Sequence, residues 1–430
     1  MSAELSQAPR VTPSSPPLSG ADVEAAAKRI SGVVSPTPLQ YSDRLSQLTD
    51  ARVYLKREDL QTVRSYKVRG AYNMLLQLTP EELAAGVVCS SAGNHAQGFA
   101  LACRSMGIQG RIYVPAKTPK QKRDRIRYHG GDFIELIIGG KTYDMAAEAA
   151  LADARSTGAT LVHPYDDVRT MAGQGTIAVE LLDQLDGEPD LVVVPVGGGG
   201  CISGITTYLA ERTTATSVLG VEPAGAASMV AALAEGHPVT LEHVDQFVDG
   251  AAVARAGALP FAALSCAGDR VSITTVDEGA VCTAMLDLYQ NEGIIAEPAG
   301  ALSVAGLLET DVMPGATVVC LISGGNNDVS RYGEVLERSL VHLGLKHYFL
   351  VDFPQEPGAL RRFLDEVLGP NDDITLFEYV KRNNRETGEA LVGIQLGSAA
   401  DLDRLMARMQ SSESHVELLE PGSPTYRYLT

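Results

Sequence analysis

The chain has 430 residues, of which 45% are hydrophobic and 20% are charged, a globular composition that can bury a sizeable core. Its formal net charge of -18 argues against a non-specific nucleic-acid binder, because such a protein needs a basic face. A nucleic acid is therefore not an expected partner, and neither is a membrane, because no stretch approaches the roughly 20 apolar residues that cross a bilayer. The six cysteines form no CxxC pair, which indicates reduced thiols and a cytoplasmic location.

The start of the chain, residues 1–18, is rich in serine and proline and is predicted to be a disordered N-terminal tail. It has Glu4 before its lone Arg10 and contains no apolar run. A signal peptide needs a basic start and an apolar core, so this segment is not interpreted as one.

Residues 19–335 alternate short apolar runs with alanine-rich segments of helical pattern. The runs predict strands at 86–91, 111–115, 132–138, 190–196, 217–223 and 316–323. Because these runs are apolar on both faces, they favour parallel sheets covered by helices. Such sheets bind ligands at the carboxyl ends of their strands, so the loops that follow the runs are candidate sites.

The segment SYKVRGAYN, residues 65–73, places Lys67 where a helical pattern begins. Most lysines are solvated charges, and this stretch alone does not distinguish Lys67 from them. A reactive role for its amine therefore depends on the other loops.

The loop SSAGNHAQG, residues 90–98, combines hydroxyls, backbone N–H groups and a side-chain amide in one turn. One polar side chain is enough to cap a helix. Ser90, Ser91, Asn94 and His95 together indicate recognition of a polar ligand, such as a carboxylate or a phenolic oxygen.

Four consecutive glycines lie between a buried strand and a helix in VVVPVGGGGCISG, residues 192–204. Glycine lets backbone N–H groups converge on an anion, and the helix N-terminus adds partial positive charge, so this loop predicts a phosphate site. No GK[ST] follows, which argues against a nucleoside triphosphatase. Gly198, Gly200 and Ser203 also approximate a dinucleotide fingerprint, with Glu222 about twenty residues on, so a nicotinamide site is the alternative.

The loop CLISGGNND, residues 320–328, places Ser323 at a strand end, and its glycines allow a ligand to approach the backbone. By itself this loop is interpreted equally well as a tight turn.

Residues 340–430 are predicted to form a second domain. Strands are expected at 346–354, 373–383, 390–397 and 415–420, and helices at 357–369 and 398–410, where Ser398 can cap the second helix. This βαββαβ order is the ferredoxin-like arrangement. The segment has no catalytic cluster, so a packing or dimerisation role and a small-molecule sensor are both open.

A lysine, a phosphate loop and neutral polar groups at strand ends are what pyridoxal phosphate requires. The segments SYKVRGAYN, SSAGNHAQG, VPVGGGG, EPAGALS and ISGGNND occur in this order. Together they resemble the threonine dehydratases (threonine ammonia-lyases) of the tryptophan-synthase-β-like family of pyridoxal phosphate enzymes. The resemblance covers residues 20–335, and PGALRRFLDEVLGPNDDITLFEY extends it into the regulatory domain of the biosynthetic enzymes, in a short, actinobacterial-type form.

The resemblance implies an α/β fold of pyridoxal phosphate fold type II, with the cofactor in a cleft between two parallel-sheet subdomains. The catalytic domain would be residues 19–335, with the smaller subdomain at about 65–155. Residues 340–430 would be an ACT-like α+β regulatory domain of ferredoxin-like topology. A homotetramer is also implied, as is allosteric binding of isoleucine, with valine as a second candidate, at the C-terminal domain.

Position by position, Lys67 matches the catalytic lysine that forms the Schiff base with the cofactor. Asn94 matches the amide at the ring oxygen, and Ser323 matches the serine beside the pyridine nitrogen. The residues that match the phosphate loop are Gly197, Gly198, Gly199, Gly200 and Cys201. Those that match the loop for the substrate carboxylate are Ser91, Ala92, Gly93, Asn94 and His95.

Two positions depart from the family pattern: Cys201 stands where leucine is frequent, and Tyr66 where phenylalanine is common. Since backbone N–H groups bind the phosphate and Tyr66 keeps an aromatic ring, neither change is expected to alter the site. Serine racemases resemble this chain but have a serine where Ala92 stands, and that serine acts on the opposite face of the substrate. Ala92 has no such group, which favours a dehydratase.

The implied reaction is β-elimination and deamination of L-threonine to 2-oxobutanoate and ammonia, the first step of isoleucine biosynthesis, with some activity on L-serine. The free Lys67 amine is expected to take the α-proton. The Ser323 hydroxyl is neutral and does not hold the pyridine nitrogen protonated as an aspartate would. It therefore favours fast loss of the substrate hydroxyl over racemisation or transamination.

Several interpretations remain open. Glu222 resembles a cation-binding position of relatives, but Ser228 replaces an expected aspartate, so metal binding is undecided. Glu297 has either a structural role or one near the cofactor. A nicotinamide oxidoreductase is a second hypothesis, although it gives Lys67 no task. A third is a non-enzymatic amino-acid-binding regulator, which leaves Lys67, Asn94 and Ser323 unexplained.

Overall fold

The structure is a computed structural model that describes residues 15–379, 381, 385–412, 414–421, 423 and 426. Residues 1–14 of the predicted disordered tail therefore lie outside the described residues. Leu18, which that prediction also includes, is buried in the main hydrophobic core, so the packed chain begins before residue 19. Ser19 then caps the first helix in a capping box with Asp22.

The chain divides into two compact units after Asn327. The strands of the first unit are β1 (Leu39–Tyr41), β2 (Arg52–Arg57), β3 (Val87–Ser90), β4 (Gly110–Val114), β5 (Ile134–Ile138), β6 (Thr160–Leu161), β7 (Leu191–Pro195), β8 (Ser217–Pro223), β9 (Val271–Val276) and β10 (Thr317–Ile322). Its helices are α1 (Gly20–Ile30), α2 (Asp43–Thr49), α3 (Lys67–Leu75), α4 (Pro80–Ala85), α5 (Asn94–Met106), α6 (Lys120–Gly130), α7 (Tyr143–Thr157), α8 (Val168–Gln184), α9 (Gly200–Arg212), α10 (Ser228–Glu235), α11 (Ala258–Ala267), α12 (Glu278–Glu292) and α13 (Pro298–Leu308). Among the described helices, none has both the length and the apolar composition that a membrane crossing needs.

These strands form two sheets, which confirms the predicted pair of parallel-sheet subdomains. The large lobe is built on the sheet β1-β2-β10-β7-β8-β9, and the small lobe on the sheet β5-β4-β3-β6 with helices α3 to α7. In these two sheets all neighbouring strands are parallel except β1 and β2. The exception, β1, is a short strand at the sheet edge, where an antiparallel strand is common in an otherwise parallel sheet. The last strand of the small sheet, β6, lies beyond residue 155, where the smaller subdomain was expected to end.

Burial explains why the apolar runs predict these sheets well. Every residue of β3 and β10 is buried, as are four of the five residues of β7, since helices cover both faces. Each fully buried valine, leucine or isoleucine contributes about 1.5–3 kcal/mol to folding. The carboxyl ends of β3, β7 and β10 lead into the loops at 90–98, 196–200 and 323–327, which are the predicted candidate sites.

The second unit begins with helix α14, and its four-stranded sheet is wholly antiparallel. Its elements are α14 (Tyr332–His342), β11 (Lys346–Pro354), α15 (Ala359–Val367), β12 (Asp373–Tyr379), β13 (Thr387–Gln395), α16 (Leu402–Ser411) and β14 (His415–Leu418). The strand order β12-β13-β11-β14 with helices after β11 and β13 is the predicted ferredoxin-like arrangement. The third strand begins at Thr387, three residues before the predicted start, and residues 382–384 lie outside the described residues.

Candidate active site

Lys67 is the first residue of α3 and lies half-buried in the cleft between the lobes. Its Nζ donates to the backbone oxygen of Pro164 at 3.3 Å and lies 5.1 Å from the centre of the Tyr66 ring. Burial disfavours the charged amine and lowers the pKa of Lys67 to about 8, although Cys201 and Glu297 oppose this shift. With this pKa, about a tenth of the amine is unprotonated at pH 7.

A buried charge network anchors the helix that carries Lys67. Arg69, two residues further along α3, makes paired hydrogen bonds of 2.7 and 2.8 Å to Glu58 and of 2.6 and 2.9 Å to Glu180. Lys56 donates to Glu180 at 2.7 Å, so two positive and two negative side chains balance. Since Glu58 follows β2 and Glu180 lies on α8, the network ties the first turn of α3 to the large lobe.

The four glycines at 197–200 join β7 to α9, which begins at Gly200. A Cβ at Gly198 would lie 2.3 Å from the Tyr165 ring, and one at Gly200 would lie 2.8 Å from the Tyr165 backbone. Gly199 has a φ of +89°, which favours glycine. The glycines thus allow Tyr165 to pack against the loop, while the first N–H groups of α9 lack intrahelical acceptors and can hold an anion.

This packing also connects the glycine loop to Lys67. Pro164, whose backbone oxygen accepts from Lys67, directly precedes Tyr165. Asp166 then accepts the N–H groups of Ala258 and Leu259 at 3.1 and 2.8 Å, which fixes the start of α11. The segment after β6 therefore holds the lysine amine and the glycine loop side by side.

Asn94, the first residue of α5, faces the large lobe across the cleft. Its Nδ2 donates to Glu297 at 2.5 Å, and its Oδ1 accepts from Asn326 at 2.8 Å. Asn326 lies in the loop after β10, as does Ser323. The predicted amide and the predicted serine loop are therefore brought together.

Ser323 is buried at the end of β10 and donates to the backbone oxygen of Ala299 at 3.2 Å. Its own backbone oxygen accepts from the N–H of Tyr66, also at 3.2 Å. Ser65 pairs with Gly324, and its buried hydroxyl has no hydrogen-bond partner within the described chain. The backbone of Ser323 is thus hydrogen-bonded to Tyr66, the residue that directly precedes Lys67.

The substrate-loop candidates surround the N-terminus of α5. The Ser91 hydroxyl accepts the N–H of Gly93 at 3.2 Å, while Ala92 packs against the core of the small lobe. His95 is buried, and its Nε2 is 2.9 Å from the backbone oxygen of Val162. Burial lowers the pKa of His95 to about 3, so its ring is neutral at working pH. The first N–H groups of α5 lack intrahelical acceptors and are the part of this loop that can receive a carboxylate.

Glu222 does not face the cleft as the dinucleotide alternative requires. Its two carboxylate oxygens accept the N–H groups of Met229 and Val230 at 2.8 Å each and so cap α10. Within the described ranges, no three His, Cys, Asp or Glu side chains form a group that could hold a metal ion. The structure gives Glu222 a structural role.

Three site residues were missed or left undecided by sequence reasoning. Tyr165 lies in a polar loop without a pattern, Asn326 lies inside a quoted motif without an assigned role, and Glu297 was left open. The one available signal for Glu297 was the EPAGA motif that it begins. Its contact with Asn94 joins residues 203 positions apart and is invisible to local patterns.

The residues in this cleft fit pyridoxal phosphate. A lysine amine of lowered pKa lies beside a helix N-terminus that can receive a phosphate, and an oriented amide and a neutral hydroxyl complete the set. The Tyr165 ring packs on Gly198 and the Tyr165 backbone packs on Gly200, so the glycine loop offers N–H groups and no side chains to a phosphate.

Comparisons with known proteins agree with this chemistry. Residues 30–324 match the family described as pyridoxal-phosphate dependent enzyme, and residues 337–429 match the C-terminal regulatory domain of threonine dehydratase. The chain is 82% identical over 429 residues, all of both chains, to the biosynthetic L-threonine dehydratase IlvA of Mycobacterium tuberculosis. It is 61% identical to the Corynebacterium glutamicum protein of the same name, with 96% of this chain and 95% of that one covered.

A solved structure is similar as well. The processed form of threonine deaminase isoform 2 from Solanum lycopersicum has a TM-score of 0.69 and 39% identity, covering 74% of this chain and 92% of that one. The chain therefore belongs to the pyridoxal-phosphate-dependent enzymes of fold type II. Among these it is a member of the threonine dehydratases, lyases that are also called threonine ammonia-lyases, and it carries their C-terminal regulatory domain. The oxidoreductase hypothesis and the non-enzyme hypothesis are thereby wrong.

Proposed function

We propose that this chain converts L-threonine to 2-oxobutanoate and ammonia in the cleft between the lobes, with Lys67 as the catalytic base. The observation that carries the proposal is the half-buried Lys67 amine, with a pKa lowered to about 8, beside the glycine loop. Elimination removes the α-hydrogen and the β-hydroxyl as water, and a water molecule then releases ammonia. Threonine is thus converted to one keto acid and one ammonia, without an oxidant.

The roles proposed for the chain's own groups follow from their positions. The N–H groups of 197–201 bind the cofactor phosphate, and Asn94 donates to the ring oxygen. The N–H groups of 91–95, at the start of α5, bind the substrate carboxylate, since a helix N-terminus favours an anion. Bound pyridoxal phosphate supplies the electron sink that makes the α-hydrogen acidic.

Two neutral groups limit the reaction to elimination. Ser323 is proposed to face the ring nitrogen, and its hydroxyl carries no negative charge that would keep this nitrogen protonated. Ala92 packs against the small lobe and has no group that could return a proton to the opposite face of the substrate. Loss of the hydroxyl is therefore favoured over racemisation.

Release of keto acid from threonine tests this proposal. Lys67→Ala should lower the rate of 2-oxobutanoate release at least about 100-fold, because a positioned base contributes that much or more. Lys120→Ala is the matched control, since the Lys120 side chain is 83% exposed, and it should leave the rate unchanged. A Lys67→Ala enzyme with full activity would refute the role of Lys67.

L-serine is proposed as a weaker substrate, because it offers the same hydroxyl and lacks one methyl group. A methyl group in an apolar pocket changes kcat/KM by about 10- to 200-fold. Pyruvate release from serine, compared with 2-oxobutanoate release from threonine, measures this ratio.

The second unit is proposed to bind isoleucine, with valine as a competing ligand, and to reduce activity when isoleucine is bound. The match of residues 337–429 to a regulatory domain supports a regulatory role, although it does not name the ligand. A chain that ends at Asn327, the boundary between the units, should keep activity and lose inhibition by isoleucine. Unchanged inhibition in this shortened enzyme would count against the proposal.

A cytoplasmic homotetramer is also proposed, from the resemblance alone. Sedimentation of the purified chain measures its mass, which should be four times the 45.5 kDa of one chain.

A further inference from the structure

Glu297 is a buried carboxylate at the start of α13 that makes no hydrogen bond to its own helix. Pro298 occupies the first helical position and sets the backbone there, so the helix start does not need the Glu297 side chain. The carboxylate instead accepts from Asn94 Nδ2 at 2.5 Å and from the Asn326 backbone N–H at 3.2 Å. The Glu297 carboxylate, whose burial costs free energy, is therefore directed at Asn94 in the cleft.

These contacts fix the orientation of the Asn94 amide. A carboxylate can only accept, and Asn326 Nδ2 can only donate, so a flipped Asn94 amide would face two mismatched partners. Asn326 is itself held, because its Nδ2 also donates to the backbone oxygen of Val63 at 2.8 Å. One hydrogen of Asn94 Nδ2 goes to Glu297, and the second hydrogen is left for another acceptor.

The backbone closes around Glu297. A Cβ at Gly324 would lie 2.4 Å from Glu297 Oε1, and a Cβ at Gly250 would lie 3.5 Å from the same atom. The Glu297 N–H also donates to the backbone oxygen of Gly324 at 3.1 Å. The carboxylate therefore has little freedom to leave Asn94.

Several charged or titratable groups surround this carboxylate. Burial, and the nearby Asp249, raise the pKa of Glu297 to about 7, while the Asn94 hydrogen bond and Lys122 oppose the shift. Lys122 on α6 and Asp249 form an ion pair. The Lys67 amine and the Tyr66 hydroxyl also feel the charge of Glu297.

We propose that Glu297 is a positioning residue, whose carboxylate holds the Asn94 amide so that its second hydrogen points to the ring oxygen of pyridoxal phosphate. This inference rests on the proposed role of Asn94. A protonated Glu297 accepts from Asn94 more weakly, because a hydrogen bond to an ionised group is roughly twice as strong as a neutral one. The Asn94 amide is therefore held more firmly when Glu297 loses its proton, and the cofactor is released more slowly.

The test measures release of the cofactor, not turnover. Pyridoxal phosphate leaving the holoenzyme is followed by its absorbance from pH 5.5 to 8.5, for the unmodified chain and for Glu297→Gln. The release rate of Glu297→Gln divided by that of the unmodified chain should rise from near 1 at low pH to about 10 at high pH. Tenfold corresponds to the difference between a charge-assisted and a neutral hydrogen bond. Taking the ratio cancels the titrations of groups that do not feel the charge of Glu297.

Glu222→Gln is the matched control. Glu222 is also a buried glutamate, and burial raises its pKa to about 7 as well, but it caps α10 and does not contact Asn94. The ratio of its release rate to that of the unmodified chain should not change with pH. A flat ratio for Glu297→Gln, or an equal rise for Glu222→Gln, would overturn the inference.

A second variant keeps the test decisive if Glu297→Gln does not fold. Asn326→Ala removes the donor to Asn94 Oδ1 and should release the cofactor about tenfold faster at every pH. Release at the unmodified rate would overturn the inference. A protein that binds no cofactor on Lys67 would instead overturn the proposed function, so the two failures are distinguishable.

Discussion

The contact between Gly198 and Tyr165 gives a sharp prediction for Gly198→Ala. The new Cβ would lie 2.3–2.4 Å from three atoms of the Tyr165 ring. Carbon atoms pack at about 3.5 Å, so the ring or the loop has to move by about 1 Å. Tyr165 is held in place, since its hydroxyl donates to the Arg255 backbone oxygen at 3.4 Å and its ring packs edge-on against His163.

Overpacking of this kind costs about 1–3 kcal/mol. Because the strain falls on the loop that presents the N–H groups, we expect the affinity for pyridoxal phosphate to fall by about 5- to 150-fold. The assay is equilibrium titration of the apoenzyme with the cofactor, followed by absorbance. Gly139→Ala is the control, because a Cβ at Gly139 meets nothing within 4 Å and should leave the affinity unchanged.

The double variant Gly198→Ala with Tyr165→Ala separates steric strain from other effects. If the ring causes the loss, removing it should restore part of the affinity relative to Tyr165→Ala alone, and the two changes should not be additive. Additive losses, or a Gly198→Ala enzyme that binds the cofactor normally, would refute the reasoning.

Two further predictions concern stability. Arg69→Met leaves the buried Glu58 without its ion-pair partner and should lower the free energy of unfolding in urea by about 3–5 kcal/mol. The exposed Arg127→Met should cost under about 0.5 kcal/mol, and similar losses for the two variants would contradict the role of the network. Burial lowers the pKa of His95 to about 3, so between about pH 6.5 and 3 the unfolded chain binds a proton that the folded chain does not. The free energy of unfolding therefore decreases as the pH is lowered through this range. His95→Gln should therefore lose less Tm than the unmodified chain between pH 7 and 4.5, and equal losses would contradict this assignment.

The parallel sheets could be predicted because buried strands such as β7 and β10 are apolar at almost every position. The three-residue edge strand β1 could not, since it is too short to show a pattern. Leu18 was placed in the disordered tail because its neighbours are serine and proline, yet its side chain packs in the core. Composition describes a segment, whereas burial is decided residue by residue.

The candidate site was predictable where several short motifs combine, and not where two distant side chains meet. Lys67 gained its interpretation from the glycine loop and from Asn94, and the structure brings all three to one cleft. The Glu297 carboxylate reaches Asn94 only because the two lobes face each other, which no local pattern records. Tyr165 was missed for the same reason, because its packing against Gly198 depends on how β6 and β7 are placed.

The most direct test of the account is to find which amine carries the cofactor. Borohydride reduction of the yellow holoenzyme fixes pyridoxal phosphate to that amine, and mass spectrometry of the digested chain then locates it. We expect the added mass on the peptide that contains Lys67. Attachment to a different lysine, or none to any lysine, would contradict it.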